Sequence, residues 1–139
     1  MKKSILILVS ILLFSTLTIA GAPPAVVQKA FEQKFPGAEK EKWNKENAHE
    51  YEASFKWKGG KYSANFKDTG EWLETEMSIA FKDLPDKVKI AFNTAHMVGT
   101  AKAAAKIETA KGVIKYEVEY KPAYKTYEIF YTEEGTEIK

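Results

Sequence analysis

The sequence predicts an α+β fold: two tandem units, each a helix plus four antiparallel strands, forming one continuous sheet with the helices on one face. Three observations lead there. Residues 51–70, YEASFKWKGGKYSANFKDTG, alternate apolar and polar side chains on both sides of a Gly-Gly turn. That is the signature of a hairpin with one packed and one wet face. An amphipathic helical pattern precedes the hairpin, with Val27, Ala30 and Phe31 on one stripe. Both patterns then return. Val88, Ala91 and Phe92 stand 61 residues after Val27, Ala30 and Phe31, and Pro85 stands 61 after Pro24. Tyr116, Val118 and Tyr120 stand 65 after Tyr51, Ala53 and Phe55, as Tyr127, Ile129 and Tyr131 do after Tyr62, Ala64 and Phe66. Gly135 stands 65 after Gly70.

The first 22 of the 139 residues read as an export signal. Lys2 and Lys3 open it, Ile5–Leu13 is almost wholly aliphatic, and Ala20-Gly21-Ala22 is a small-residue cleavage site ahead of Pro23-Pro24. Residues 1–22 are therefore expected to be removed, leaving units 23–83 and 84–139 in the periplasm or outside the cell, with no stable membrane insertion. Removal takes away two lysines and no acid, so 19 Lys face 19 acidic residues. The basic balance of the full chain thus gives no reason to expect nucleic-acid binding. Every base is Lys, and the bidentate Arg contact to phosphate or guanine is missing. Zero cysteines exclude a disulfide frame, a thiol nucleophile and a thiolate metal site.

In chain order, Pro24–Phe35 reads as a helix stopped by Pro36-Gly37. Glu39–Lys45 reads as a strand with Trp43 inward, the hairpin follows, and Glu71–Ala80 is a fourth strand that turns Trp72 or Leu73 inward. Pro85–Met97 is the second helix. Ala101–Ala110, AKAAAKIETA, is rich in helix formers, but the repeat favours strand. Val113–Tyr120 and the segment around Tyr127–Tyr131 complete the second meander. Each half is too small to bury much alone, so one shared hydrophobic layer is expected.

These residues resemble a known family. An export signal, paired helices that begin near Pro, a Phe35-Pro36-Gly37 stop, Tyr-Glu strands, and the acidic turns Asp68-Thr69-Gly70 and Glu133-Glu134-Gly135 are similar to secreted PepSY-like, beta-lactamase-inhibitor-like proteins of Bacteroidetes-type bacteria. The resemblance covers Pro23 to the C-terminus. It implies a helix packed on each half of an antiparallel sheet whose open face binds a partner protein.

No catalytic constellation stands out. His49 and His96 occupy non-equivalent positions of the two units, so boundary histidines are expected rather than metal ligands. Ser54 and Ser63 lack a Gly-x-Ser-x-Gly elbow. Glu74 and Glu76, two apart on one strand face, read as a solvated edge or as partners for neighbouring lysines. No cofactor and no enzyme activity are expected. Phe130 is out of phase with Tyr127, Ile129 and Tyr131 and should face outward, and Trp57 ends its strand at the turn. With Glu52, Lys56, Glu117 and Glu128 these form the candidate partner-binding set, on an outer face whose mixed charges should steady the sheet. The function expected is a non-catalytic periplasmic protein- or peptide-binding module, an inhibitor or modulator of an envelope enzyme. The alternative is a small-ligand or envelope-glycan binder using the edge near Trp57 and Trp72.

Overall fold

A computed structural model describes residues 21–97 and 99–139. The export signal lies almost wholly outside the described residues. Helix α1 (Ala25–Lys34) is followed by strands β1 (Glu39–Asn47), β2 (Glu50–Trp57), β3 (Gly60–Lys67) and β4 (Trp72–Ile79). A short 3-10 turn at Phe81–Asp83 leads to α2 (Asp86–Ala95). Then come β5 (Thr100–Thr109), β6 (Ile114–Lys121), β7 (Tyr127–Thr132) and β8 (Glu137–Ile138). All eight strands pair in sequence order, each antiparallel to the next, in one open sheet. Among the described residues no helix is long and apolar enough to cross a membrane.

Both helices begin and end alike. Pro24 (φ −52°, ψ 149°) and Pro85 (φ −52°, ψ 142°) sit just ahead of the first turn, where a missing N–H costs nothing. Phe35 and His96 close the last turns by donating to the carbonyls of Phe31 and Phe92. The buried faces are Val27 and Phe31 in α1 and Val88 and Phe92 in α2. The register carries a single row across the sheet, from Tyr62 to Met77, Lys106, Tyr116 and Tyr131. Tyr62 packs with the first helix's cluster and Tyr131 with the second's, so both helices lie on the same face. AKAAAKIETA is strand, as the spacing suggested: pairing with β4 and β6 outweighs its local helix preference.

Two expectations need correction. The hairpin turn is Lys58-Gly59, not Gly-Gly. Trp57 pairs with Gly60, and both central residues have positive φ (48° and 80°), the geometry that matches the twist of two-residue hairpins. The second correction concerns the core. The sheet is continuous, yet the buried side chains form two clusters, not one shared layer. The first joins Val27, Phe31, Phe35, Ala53, Phe55, Ala64 and Phe66, and the second joins Leu84, Val88, Phe92, Ala104, Tyr116, Val118, Tyr120 and Tyr131. The seam explains the split. On the helix side β4 and β5 present Thr75, Lys106 and Glu108 beside Met77, a stripe too polar for either helix to cover.

Each helix start is pressed by a glycine turn. Gly70 (φ 87°) approaches Val26, and Gly135 (φ 79°) approaches Lys87. A Cβ on Gly135 would stand 2.5 Å from the Lys87 carbonyl oxygen, and positive φ adds strain for any L side chain. Gly135→Ala is expected to destabilise the fold by about 2–3 kcal/mol, read from the denaturant midpoint. Gly112→Ala, whose Cβ meets nothing within 4 Å, is expected to lose only about 1 kcal/mol from backbone strain.

Candidate functional site

The face opposite the helices is uncovered among the described residues. Strand alternation alone decides what stands on it. Glu52, Ser54 and Lys56 of β2 lie out of phase with buried Ala53 and Phe55. Glu117 of β6 lies out of phase with Tyr116 and Val118, and Glu128 and Phe130 of β7 with Tyr131. The twisted sheet makes this face concave, with a depression of about 910 Å3 lined by residues of β1 through β7.

Five of the six sequence-derived candidates, Glu52, Lys56, Glu117, Glu128 and Phe130, line that depression. Trp57 does not join them. It belongs to the helix-side phase, edge-on to Phe35 (5.3 Å) and Tyr62 (5.7 Å), and its indole N–H donates to the Pro36 carbonyl at 2.9 Å. The same alternation that puts Phe55 inward requires this. Phe130 is half-buried on the open face, and the Lys115 ammonium lies over its ring at 5.2 Å. The histidines are apart: His49 bonds Asp68 at the β1–β2 turn, and His96 packs against Phe92 and Tyr120 at the end of α2. Ser54 Oγ–H donates to Glu52.

Charge on the open face is mixed but uneven: Lys115 pairs with Glu74 at 3.3 Å and Glu39 stands opposite Lys56, as expected of stabilising pairs, yet like charges also meet. Lys56 stands directly opposite Lys61, and Glu119 directly opposite Glu128. Like charges in such positions oppose sheet formation. The β1–β3 end of the depression carries Lys40, Lys42, Lys56 and Lys61 with Glu46 and Glu52, and the β4–β7 end carries Glu74, Glu76, Glu117, Glu119 and Glu128 with Lys115 alone.

The acidic end is also dry. Ala105 and Ile107 of β5 form its floor, only 4% and 2% exposed although they face away from the helices. Carboxylates above such a floor lose hydration. Glu76 is pushed from 4.5 up to about 7, first by burial and then by Glu52, Glu74 and Glu128. Glu117 rises to about 8, first by burial and then by Glu76, Glu128 and Glu119. Glu52 is raised by burial and by Glu46. Lys115 offsets little, because its ion pair is with Glu74 at 3.3 Å. Of the two carboxylates expected at a solvated edge or beside lysines, Glu74 has its lysine partner, whereas Glu76 is desolvated.

The PepSY-like family model, described as beta-lactamase-inhibitor-like, matches residues 49–139. The chain belongs to the PepSY-like family. No curated protein matches the sequence. Among solved structures, this PepSY-like chain is similar to a DUF2874 family protein from Bacteroides ovatus (TM-score 0.74, 23% identity, 86% of each chain covered). It is similar to a DUF2874 family protein from Bacteroides uniformis (TM-score 0.75, 23% identity, 85% of this chain and 88% of that one). A BLIP-like protein from Bacteroides fragilis also matches (TM-score 0.70, 20% identity, 86% and 85% covered). At these identities the likeness is one of fold.

Proposed function

We propose that this PepSY-like protein is a non-catalytic binding module of the cell envelope. It is exported by residues 1–22 and takes a protein or peptide partner on its concave sheet face. It is built from two copies of one helix-plus-four-strand unit, residues 23–83 and 84–139, with no part for a cofactor or nucleic acid. The matched cap geometries of Pro24 and Pro85 and the glycine turns against Val26 and Lys87 support the copying. The BLIP-like structural neighbour is consistent with an inhibitor-like use of the face. The observation that carries the reading is the crowding of like charge. Like-charged neighbours at Lys56–Lys61 and Glu119–Glu128 and desolvated carboxylates cost stability, and a merely wet face would gain nothing by keeping them.

The test is capture from envelope extract with the mature protein. Phe130→Ala, which removes a large aromatic on this face, is expected to reduce recovery of the specific partner tenfold or more. Ile90→Ala, at an exposed site on α2, is expected to leave it unchanged. Equal recovery with all three proteins would rule the concave face out.

A small-ligand reading has one observation in its favour, a cleft of about 310 Å3 over the seam lined by Trp57, Tyr62 and Met77. It is the weaker reading. The Lys58 ammonium already lies 4.1 Å from the Trp57 ring centroid, and the indole N–H is committed to Pro36, so the ring has little left to offer a sugar.

A further inference from the structure

We infer that the partner enters the β4–β7 end of the concave face with a cationic segment, an Arg- or Lys-bearing loop or strand; this rests on the reading that the face is the docking surface. Three features of the face select that chemistry. Lysine outnumbers glutamate at the β1–β3 end and glutamate outnumbers lysine five to one at the β4–β7 end, so a cationic segment is steered toward the latter. At the acidic end the available cation is spent: Lys115 is paired with Glu74, and no described cation stands within ion-pair distance of Glu76 or Glu117. These carboxylates are separated by one strand, β5, whose Ala105 and Ile107 rise little between them, so a single extended side chain can lie over that floor and meet both. An anionic partner would add a further like charge to a half-dry acidic surface. A neutral sugar would cover carboxylates without compensating them.

Phe130 refines the choice. It is directly opposite Glu117 on the neighbouring strand and half-buried, and the Lys115 ammonium 5.2 Å from its ring centroid shows that the ring holds a cation, one that an incoming guanidinium would displace. A flat guanidinium can stack on that ring and present its N–H groups to Glu117 together, which an ammonium cannot do. Arginine is therefore preferred over lysine.

Amide chemical shifts of the mature protein, titrated with capped tri-arginine, tri-lysine and tri-glutamate peptides, test the inference. Tri-arginine is expected to saturate, moving amides of β4, β5, β6 and β7, with tri-lysine weaker and tri-glutamate silent there. Glu76→Gln with Glu117→Gln is expected to weaken tri-arginine at least tenfold. Both changes relieve charge repulsion, so loss of binding would not reflect unfolding, and far-UV dichroism checks this. The inference is overturned if tri-arginine leaves β4–β7 unmoved, binds the double variant equally well, or is matched by tri-glutamate. The capture assay separates the two levels. A partner lost with Phe130→Ala but kept by the double Gln variant leaves the face standing and removes the cationic segment. A partner indifferent to every open-face change removes the face.

Discussion

Phe31→Ala is expected to lower the unfolding free energy by about 3–5 kcal/mol, measured by urea denaturation. Phe31 is 2% exposed and is the hub of the first cluster. Its ring meets Phe55 at 4.9 Å, Trp43 at 5.2 Å, Phe35 at 5.5 Å and Phe66 at 6.3 Å, three of them edge-on. Such pairs add about 0.5–1.5 kcal/mol each beyond burial, and a cavity among four rings closes poorly. A domain of this size has about 5–15 kcal/mol in all, so the variant sits near the limit of folding. The equivalent Phe92→Ala is expected to cost less. Phe92 is 4% exposed and packs on Phe81, His96 and Tyr120. The change should still be felt across the whole molecule. β4 and β5 pair from Glu74↔Thr109 to Ile79↔Ala104, so one cooperative transition is expected although the cores are separate.

The second large effect is on pH dependence. Glu76 and Glu117 have folded values of about 7 and about 8 against an ordinary 4.5. Between about pH 5 and pH 8 the folded chain therefore holds more protons than the unfolded chain, and stability falls as pH rises. Their destabilisation is absent below the unfolded value and complete above the folded ones. The melting temperature is expected to drop from pH 5.5 to pH 8.5. Glu76→Gln with Glu117→Gln should flatten that profile and raise stability at pH 8.5 by about 2–3 kcal/mol, with little change at pH 5. A wild-type melting temperature that rises over this range would contradict the dry acidic end.

Much of this was legible in the sequence. Period-two alternation gave the face of nearly every strand residue, including the outward phase of Phe130. The repeated spacing placed β5 against the helix preference of AKAAAKIETA. Trp57 was misplaced by its position beside the turn, although its own phase with Phe55 pointed inward. The Lys56–Lys61 juxtaposition depends on a one-step difference in the turn. A turn at Gly59-Gly60 does not place Lys56 opposite Lys61, whereas Lys58-Gly59 does. Glu119↔Glu128 depends on the irregular connection between β6 and β7, whose length on each strand no pattern reveals. Glu76 looked solvated because its desolvation comes from Ala105 and Ile107, which arrive from the strand with the weakest local signal. The split core was missed because the polar seam appears only when β4 and β5 are set side by side.

Photocrosslinking in intact cells tests the central claim most directly. A benzophenone side chain placed at position 54, on the open face, is compared with one at position 90, on the solvent side of α2. If the concave face receives the partner, position 54 gives a discrete adduct and position 90 gives none. A discrete adduct from position 90 with none from position 54 would move the partner to the helical side and contradict the account.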